Sequence, residues 1–313
     1  MSSTLVAQQK ASRTAYDCAA VRAAVYAWTG CRSFDYLAAH FVRGSSASLR
    51  ARLGVALSGL GATALTKFLV SRTSPGSDVL LFARQAVPDD MVREALRANA
   101  ETQIVILGAG LDTSGLRIGA ERRKSGEVPG NFFEVDLPAT LSEKQRLVRR
   151  IAPVLAGAVS DNIRYIPCTF GENELNAALL SAGFDRSKPS IWIWSGVIHY
   201  LTDAAVRLTL AELKSMSSPG SQLFFDFILL EAYEKPTDYG FSKTKSRFDS
   251  FGEVMFFGFR KGEDHVREWL TSQGLRFVRS YTHLDMVALY EQKTAAPAPS
   301  HGTPWANLCV ASL

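Results

Sequence analysis

The sequence predicts an α/β fold in which strands and helices alternate around a mainly parallel sheet. Its first strand is the short apolar run from Ile104 to Leu107, which suits a strand buried on both faces. Gly108-Ala109-Gly110 follows at once and lets the backbone turn sharply, with no side chain between it and a ligand. A second apolar strand ends in Asp136, roughly twenty residues further on. This order is typical of nucleoside-binding units, in which the acidic residue binds ribose hydroxyls.

The residues after the glycine turn indicate which nucleoside this unit binds. A dinucleotide site has a third glycine where the helix begins, so that the helix N-terminus can face a pyrophosphate. This chain has Thr113 there, preceded by Asp112, whose carboxylate would repel phosphate but suits a cationic ligand. S-adenosylmethionine (SAM) has a ribose, an ammonium, a sulfonium and no phosphate, so SAM is the favoured ligand. A nicotinamide or flavin nucleotide, and a glycine turn without a ligand, remain as alternatives.

Composition and charge restrict the class of protein. A chain of 313 residues with 47% hydrophobic content can bury a large core, as one elaborated domain or a domain with a cap. No apolar run reaches the roughly 20 residues that cross a bilayer, and the N-terminus lacks a signal peptide, so we expect a cytoplasmic protein with no membrane partner. The net charge of +5 is modest, and no nucleic-acid partner is expected. The four cysteines lie far apart, so we expect reduced thiols and no metal site.

Residues 1–100 are predicted to form a helical cap, ahead of a ligand-binding domain at residues 101–313. Ala15 to Trp28 is rich in alanine, which favours a helix. A further helix is predicted from about Asp89 or Asp90, because acidic residues stabilise a helix N-terminus. Just before it, Arg84 ends the apolar run that starts at Leu80. We expect Arg84 to point towards the glycine turn, where its guanidinium could hold a ligand carboxylate, and a structural salt bridge is the alternative.

The rest of the chain continues the alternation. Apolar runs bounded by polar or turn residues predict further strands at residues 163–170, 191–198, 223–228, 275–281 and 306–313. Right-handed crossovers place the carboxyl ends of parallel strands at one edge of a sheet. The glycine turn, Asp136, Thr169 and the segment from Ser195 to Tyr200 are therefore expected to converge on one site.

Two of these strand ends carry groups suited to ligand chemistry. Thr169 could bond a ring nitrogen of adenine, and Phe170 could form an apolar wall beside the ring. His199 and Tyr200 are the titratable residues best placed at the predicted site. Tyr200 is predicted to position the substrate. His199 is a candidate catalytic base, and a hydrogen-bonded loop histidine is the alternative.

Residues 231–262 interrupt the pattern and are predicted to form an inserted lid or substrate wall. The segment mixes charges and glycines with many aromatic rings. These rings either pack in the core or line a pocket for a flat or hydrophobic substrate. The rings in question are Tyr233, Tyr239, Phe241, Phe248, Phe251, Phe256, Phe257 and Phe259.

Four segments give the chain a resemblance to a known family. They are ILGAGLDT at 106–113, FEVDLP at 133–138, PSIWIWSGVIHYLT at 189–202 and FARQAVPDD at 82–90. Together they resemble the leucine carboxyl methyltransferase family of class I SAM-dependent methyltransferases, in the branch that methylates polyketide and related natural-product acids. The resemblance covers most of the chain from about Arg13. It implies a Rossmann-like, seven-stranded, mostly parallel sheet with an antiparallel final strand, and a substrate covered by the N-terminal helices and the lid.

The resemblance also implies roles for individual residues. Arg84 would hold the methionine carboxylate of SAM, with Arg22 a second candidate for that role. Gly108 and Gly110 would pass beneath the cofactor, and Asp136 would bind its ribose. The other residues assigned to the cofactor site are Asp112, Leu137, Thr169, Phe170 and Ser195.

Two of these positions depart from the family pattern. The family commonly has an aspartate where Thr169 stands, in contact with adenine, and many members have a glutamate at the position of Ser195. A hydroxyl is a weaker partner for the adenine amino group than a carboxylate. The change at Ser195 also looks tolerated in the natural-product branch.

Three functions fit these predictions. The first is a SAM-dependent O-methyltransferase acting on a carboxylate or phenolic hydroxyl of a small, aromatic or polyketide-like molecule. A carboxylic acid is already ionised near neutral pH, whereas a phenol benefits from a base. The second is a methyltransferase for the C-terminal carboxylate of a protein. The third, which Thr169 and Ser195 favour, is a methyltransferase-like protein that binds a partner or catalyses another step, such as a cyclisation. A homodimer remains open for all three.

Overall fold

The central element of the fold is one seven-stranded sheet in the order β3-β2-β1-β4-β5-β7-β6. The computed structural model describes residues 13–31, 34–44, 47–153, 161–170, 175–250 and 252–313. The strands are β1 (Gln103–Leu107), β2 (Asn131–Asp136), β3 (Ile163–Pro167), β4 (Ser190–Trp194), β5 (Gln222–Ile228), β6 (Arg276–Tyr281) and β7 (Ala306–Ser312).

The strand directions match the predicted fold class. Strands β1 to β5 pair in parallel. Strand β7 inserts between β5 and β6 and runs antiparallel to both. The mostly parallel sheet with an antiparallel final strand is therefore confirmed.

Helices surround this sheet. The described part of the chain contains α1 (Arg13–Thr29), α2 (Ala38–Gly44), α3 (Leu49–Gly59), α4 (Thr63–Thr73), α5 (Ser77–Ala98), α6 (Ser114–Lys124), α7 (Pro138–Ile151), α8 (Leu175–Ser181), α9 (Asp203–Met216), α10 (Leu230–Glu234), α11 (Ser242–Ser250), α12 (Glu263–Ser272) and α13 (His283–Thr294). A 3-10 turn, Ile198–Tyr200, follows β4. None of the described helices has the length and apolar character needed to cross a bilayer.

The central strands are apolar because both faces of the sheet are covered. Every residue of β1 and of β4 is buried. Trp192 and Trp194 on β4 are fully buried, and the Trp192 indole nitrogen donates to the Ser217 hydroxyl at 2.9 Å. This burial explains why continuous apolar runs, rather than alternating ones, predicted these strands.

The helix predicted from Asp89 or Asp90 was placed too late. Helix α5 begins at Ser77 and continues through Pro88 to Ala98. Leu80, Phe82 and Val87 are buried along it, and this packing outweighs the backbone hydrogen bond that proline removes. Arg84 therefore lies inside a helix rather than before one.

Two predicted strands end earlier than expected. Strand β3 ends at Pro167, which pairs with Asp136 at the last position of β2, so no strand partner remains beyond it. Strand β4 ends at Trp194, and residues 195–200 turn away from the sheet. The side chains of Thr169 and Ser195 are therefore carried on loops at the edge of the sheet.

Most of the described rings of residues 231–262 fall into two classes. Phe241, Phe257 and Phe259 are buried, and the Phe259 ring packs 5.1 Å from that of Trp269. Phe256 is 60% exposed. Core packing therefore accounts for the buried rings. Phe251 lies outside the described residues.

Candidate functional site

The glycine turn after β1 has a shape that other residues do not readily adopt. Gly108 and Gly110 have positive φ angles of 67° and 46°. The N–H groups of Gly108 and Ala109 donate to the Val135 carbonyl at 2.8 and 3.0 Å, which fixes the turn against β2. A Cβ on Gly108 would lie 2.2 Å from Cγ2 of Val197. The turn therefore needs glycine both for its backbone angles and for its close approach to the segment after β4.

Asp136 faces the glycine turn. Its Oδ2 accepts a hydrogen bond from the Gly110 N–H at 2.6 Å, and its Oδ1 accepts one from the Leu137 N–H at 2.7 Å. Burial raises the pKa of Asp136, although both N–H donors favour its ionised form. Each carboxylate oxygen has a second lone pair, so Asp136 can accept further hydrogen bonds from a ligand.

Asp112 lies at the N-terminal end of α6. Its Oδ1 accepts from the Ser114 N–H at 2.7 Å, and its Oδ2 is 3.3 Å from Nε2 of Gln85. A carboxylate at this end of a helix favours cations over phosphate. This position therefore favours a cationic ligand over a pyrophosphate.

Arg84 forms an ion pair with Asp226, which is fully buried on β5. The other carboxylate oxygen of Asp226 accepts from the Gly196 N–H at 2.5 Å. The Nε of Arg84 is buried and has no hydrogen-bond partner within the described structure. Arg84 thus forms the structural salt bridge given as the alternative, and its Nε remains without an acceptor among the described residues.

Arg22 lies behind the glycine turn. Its Nε donates to Asp35 at 2.8 Å, and its Nη2 donates to the Leu111 carbonyl at 2.7 Å. These two bonds tie α1 to the loop that carries Asp112. Arg22 consequently positions the loop, whether or not it also contacts a ligand.

A buried polar network, which was not predicted from the sequence, supports this loop. Arg117 on α6 is fully buried and pairs with Asp89 at 2.7 Å. Asp35 accepts from the Thr113 hydroxyl at 2.6 Å, and its arginine neighbours hold the pKa of its carboxyl below the usual value despite burial. The partners of this network lie far apart in the chain, although the buried FARQAVPDD segment was a signal that Asp89 has a role.

His199 and Tyr200 lie in the turn after β4. His199 is 3% exposed, its Nδ1 has no hydrogen-bond partner among the described residues, and burial lowers its pKa to about 4. The Tyr200 hydroxyl donates to Glu253 at 2.8 Å, and the Thr14 hydroxyl donates to the same carboxylate at 2.8 Å. Burial and Glu253 raise the pKa of Tyr200. Tyr200 therefore stays protonated and joins the inserted segment to α1.

Thr169, Phe170 and Ser195 are half-buried on the loops after β3 and β4. The ring of Phe170 lies 6.4 Å from that of Trp194. The Cys168 N–H donates to the Asp136 carbonyl at 3.1 Å, which brings this loop beside the carboxylate.

One cavity of about 400 Å³, here called the central cavity, brings the predicted residues together. It lies at the carboxyl edge of the parallel strands and is also lined by Phe248, the one described ring of residues 231–262 that reaches it. The convergence expected from the strand order is thus present, while the role of each residue remains a prediction. The predicted residues that line it are Arg22, Arg84, Gly108, Gly110, Asp112, Asp136, Leu137, Thr169, Phe170, Ser195, His199 and Tyr200.

The residues of the central cavity fit an adenosyl sulfonium. Asp136 can accept from ribose hydroxyls, and Phe170 offers an apolar wall for an adenine ring. The unpartnered Nε of Arg84 can donate to a carboxylate, and Asp112 suits a cationic group. The space that a side chain at Gly108 would need is filled by Val197, so this glycine lets the segment after β4 approach the turn.

Comparison with known proteins identifies the family of this chain. Residues 17–214 match the model of a family described as leucine carboxyl methyltransferase. A protein from Mycolicibacterium smegmatis is 30% identical over 233 residues, which cover 73% of this chain and 72% of that protein. A protein from Rhodococcus jostii is 31% identical over 199 residues, which cover 60% of both chains and thus less than two thirds of that relative. Both relatives are provisionally named S-adenosyl-L-methionine-dependent methyltransferases.

Solved structures share the fold. A protein from Thermobifida fusca, provisionally named a methyltransferase, superposes with a TM-score of 0.53 at 14% identity over 93% of both chains. A DUF574 family protein from Streptomyces avermitilis gives a TM-score of 0.54 at 15% identity, over 90% of this chain and 96% of its own. At such identities the likeness concerns the fold, and it confirms the predicted fold class.

Proposed function

Because this chain belongs to the leucine carboxyl methyltransferase family, we propose that it transfers a methyl group from SAM to the carboxylate of a small organic acid. The observation that carries the proposal is the central cavity, in which Asp136 faces the glycine turn and Arg84 offers a free donor. SAM-dependent methyl transfer is common to the relatives by name, and the choice of acceptor rests on the chemistry of His199 and Tyr200.

The protein's contribution to such a reaction is to bind, align and exclude water. When bound, SAM supplies a methyl group on a cationic sulfur: an acceptor oxygen would form a bond to the methyl carbon, and the sulfur would leave with the electron pair of the broken carbon–sulfur bond. Asp136 would bind the ribose and Arg84 the methionine carboxylate. Asp112 and the loop at Thr169 and Phe170 would complete the binding of the cation and of adenine.

The two titratable residues favour a carboxylate over a phenol as the acceptor. A base works best when its pKa lies near the working pH, and the pKa of His199 is about 4, so its imidazole is a weak acceptor for a phenolic proton. Tyr200 stays protonated beside Glu253 and cannot act as the base. A carboxylate is already ionised at neutral pH and needs no base. His199 and Tyr200 would then position the acceptor.

The proposal is tested by incubating the protein with SAM and a panel of carboxylic acids and phenols, followed by mass spectrometry. We expect a gain of one methyl group, as an ester that mild base hydrolyses, on one or more acids. A phenol ether, which survives mild base, as the main product would contradict the choice of acceptor. SAM binding without any methylated product would favour the methyltransferase-like alternative.

A further inference from the structure

A second cavity, here called the helical chamber, adjoins the central cavity on the side of the N-terminal helices. It has a volume of about 200 Å³ and is enclosed by α1, α3, α4, α5 and α11. The two cavities meet because they share part of their walls. The residues that line both are Thr14, Cys18, Leu81, Arg84, Phe248 and Trp305.

The wall of the helical chamber is mainly aliphatic. Phe248 and Trp305 are the only aromatic residues among the described ones that line it, and both stand at the junction with the central cavity. Beyond them the apolar part of the wall is made of small or branched side chains, with serine and threonine residues between them. A molecule that fills this space replaces water against apolar groups, which favours an aliphatic body. The aliphatic residues of the wall are Ala20, Val21, Ala24, Ala51, Val55, Leu69, Val70, Leu80 and Leu81.

Most charged residues that line the chamber form ion pairs with other residues of the protein. Arg247 on α11 pairs with Asp17 on α1 at 2.6 Å and donates to the Ser74 hydroxyl at 2.7 Å. Arg84 is paired with Asp226 at the junction. Arg50, the remaining charged residue of the lining, is exposed, so the part of a ligand that lies deep in the chamber is expected to be uncharged, because a buried charge there would lack a partner.

Among the serine and threonine residues that line the chamber, Ser58 carries a buried hydroxyl without a hydrogen-bond partner. It is 3% exposed, it lines the chamber, and its hydroxyl has no hydrogen-bond partner in the described structure. Thr66, which also lines the chamber, differs because it accepts from the Trp28 indole at 2.8 Å and donates to the Ala62 carbonyl at 2.9 Å. A buried hydroxyl without a partner is unfavourable, and a ligand oxygen would satisfy it.

We propose that the helical chamber binds the body of the acceptor, and that this acceptor is an aliphatic carboxylic acid with one hydroxyl or keto oxygen that reaches Ser58. The carboxylate lies in the central cavity, past Phe248 and Trp305 at the junction, and the chain extends between α1 and α3. This inference rests on the proposed function for the identity of the reacting group. The occupancy of the chamber by an aliphatic chain can be measured without any methyl transfer.

The first test fills the chamber with Gly54→Leu. Gly54 lines the chamber on α3, and a Cβ added there meets no atom within 4 Å. Leucine is a better helix former than glycine, so this variant is expected to fold. Calorimetry with decanoate and with butyrate, each with and without S-adenosylhomocysteine, provides the readout. We expect the dissociation constant for decanoate to rise at least about tenfold, because several methylenes lose their site, while binding of S-adenosylhomocysteine is unchanged.

The control is Gly59→Leu, on the same helix but outside the chamber walls, where an added Cβ meets only the flexible end of the Arg43 side chain at 3.1 Å. It should bind decanoate as the wild type does. Butyrate, which is too short to reach past the junction, should be insensitive to both variants. Wild-type affinity of Gly54→Leu for decanoate, or no binding of decanoate to the wild type, would overturn the proposal.

The second test concerns Ser58. A set of hydroxydecanoates that differ in the position of the hydroxyl should contain one that the wild type binds more tightly than decanoate. In Ser58→Ala the ratio of the two dissociation constants should fall about threefold to tenfold, which is the usual contribution of one neutral hydrogen bond. Ser71→Ala, an exposed hydroxyl on α4 that bonds the Phe68 carbonyl, should keep it. An unchanged preference in Ser58→Ala would remove Ser58 from the proposal.

These measurements separate the two proposals. Suppose that decanoate binds the wild type and not Gly54→Leu, while the wild type fails to bind S-adenosylhomocysteine. This result would support the chamber as a binding site and contradict the proposed function. Binding of S-adenosylhomocysteine without any binding of decanoate or its hydroxylated forms would contradict the chamber alone.

Discussion

At the scale of single residues, each charged side chain of the site is held by another part of the protein. Asp136 is fixed by two backbone N–H groups, and Asp112 by the Ser114 N–H. Arg84 is fixed by Asp226, and Arg22 by Asp35. Such contacts hold ligand-binding groups in place before the ligand arrives, which lowers the entropy lost on binding.

His199 is predicted to make stability depend on pH. Its pKa is about 4 in the folded protein and about 6.5 when exposed, so between these values the unfolded chain binds a proton that the folded protein excludes. The stabilisation is fully present above pH 6.5 and is lost as pH falls through 4, to a total of about 3 kcal/mol. The free energy of unfolding, measured with urea at several pH values across this range, should depend less steeply on pH in His199→Asn than in the wild type. His265 is exposed, so His265→Asn should show the same pH dependence of the free energy of unfolding as the wild type. An equal pH dependence in the two variants would contradict the burial of a neutral His199.

Arg84 is predicted to serve both stability and cofactor binding. Arg84→Met leaves Asp226 buried without its partner and should lower the free energy of unfolding by about 3 kcal/mol or more. We expect Arg84→Met to weaken SAM binding as well. The double variant with Asp226→Asn should recover most of the lost stability, but its SAM binding should remain as weak as in Arg84→Met. Chemical unfolding and calorimetry measure the two effects. Arg207→Met, which breaks an exposed pair with Asp203, should cost less than about 1 kcal/mol. SAM binding by the double variant at wild-type strength would show that Arg84 is purely structural.

The sequence predicted the positions of these residues better than their partners. Asp136 and the glycines could be found because they stand at fixed distances within one strand-turn-helix-strand unit. Arg84 and Asp226 are 142 residues apart, and no local pattern links them. The contact of Tyr200 with Glu253 depends in the same way on the path of the inserted segment.

At the scale of elements, the glycine turn is the part most sensitive to substitution. Gly108→Ala should lower the free energy of unfolding by about 3 kcal/mol or more, because the methyl group meets Val197 and the backbone has a positive φ. Gly126→Ala has a similar φ of 75° but meets no atom within 4 Å, so it should cost only about 1–2 kcal/mol. Thermal or urea unfolding of both variants provides the measurement. Equal losses would mean that the contact with Val197 contributes nothing.

The strands could be predicted more accurately than the helices. Two-sided burial produces continuous apolar runs such as Ile104 to Leu107, which stand out from their surroundings. Helix α5 was placed too late because the acidic residues Asp89 and Asp90 look like a helix start. Helix α13 was not predicted, although Thr282 and Asp285 form a capping box that marks its N-terminus.

At the scale of the whole molecule, the order of the strands explains why distant segments form one site. The carboxyl ends of β1, β2, β3 and β4 lie side by side, so their loops meet around the central cavity. Helices α1, α3, α4 and α5 then enclose the helical chamber beside it. The first feature follows from the parallel sheet and was predictable. The second depends on how helices far from the glycine turn pack against one another, which a single sequence does not specify.

The central claim is that Asp136 and the glycine turn hold the adenosyl part of SAM. Titration calorimetry of the wild type, Asp136→Ala and the exposed control Asp264→Ala with SAM tests it most directly. We expect one site in the wild type and in Asp264→Ala, and binding about a hundredfold weaker in Asp136→Ala, because two charge-assisted hydrogen bonds to the ribose are lost. No binding of SAM to the folded wild type, or equal affinity in all three proteins, would contradict the account.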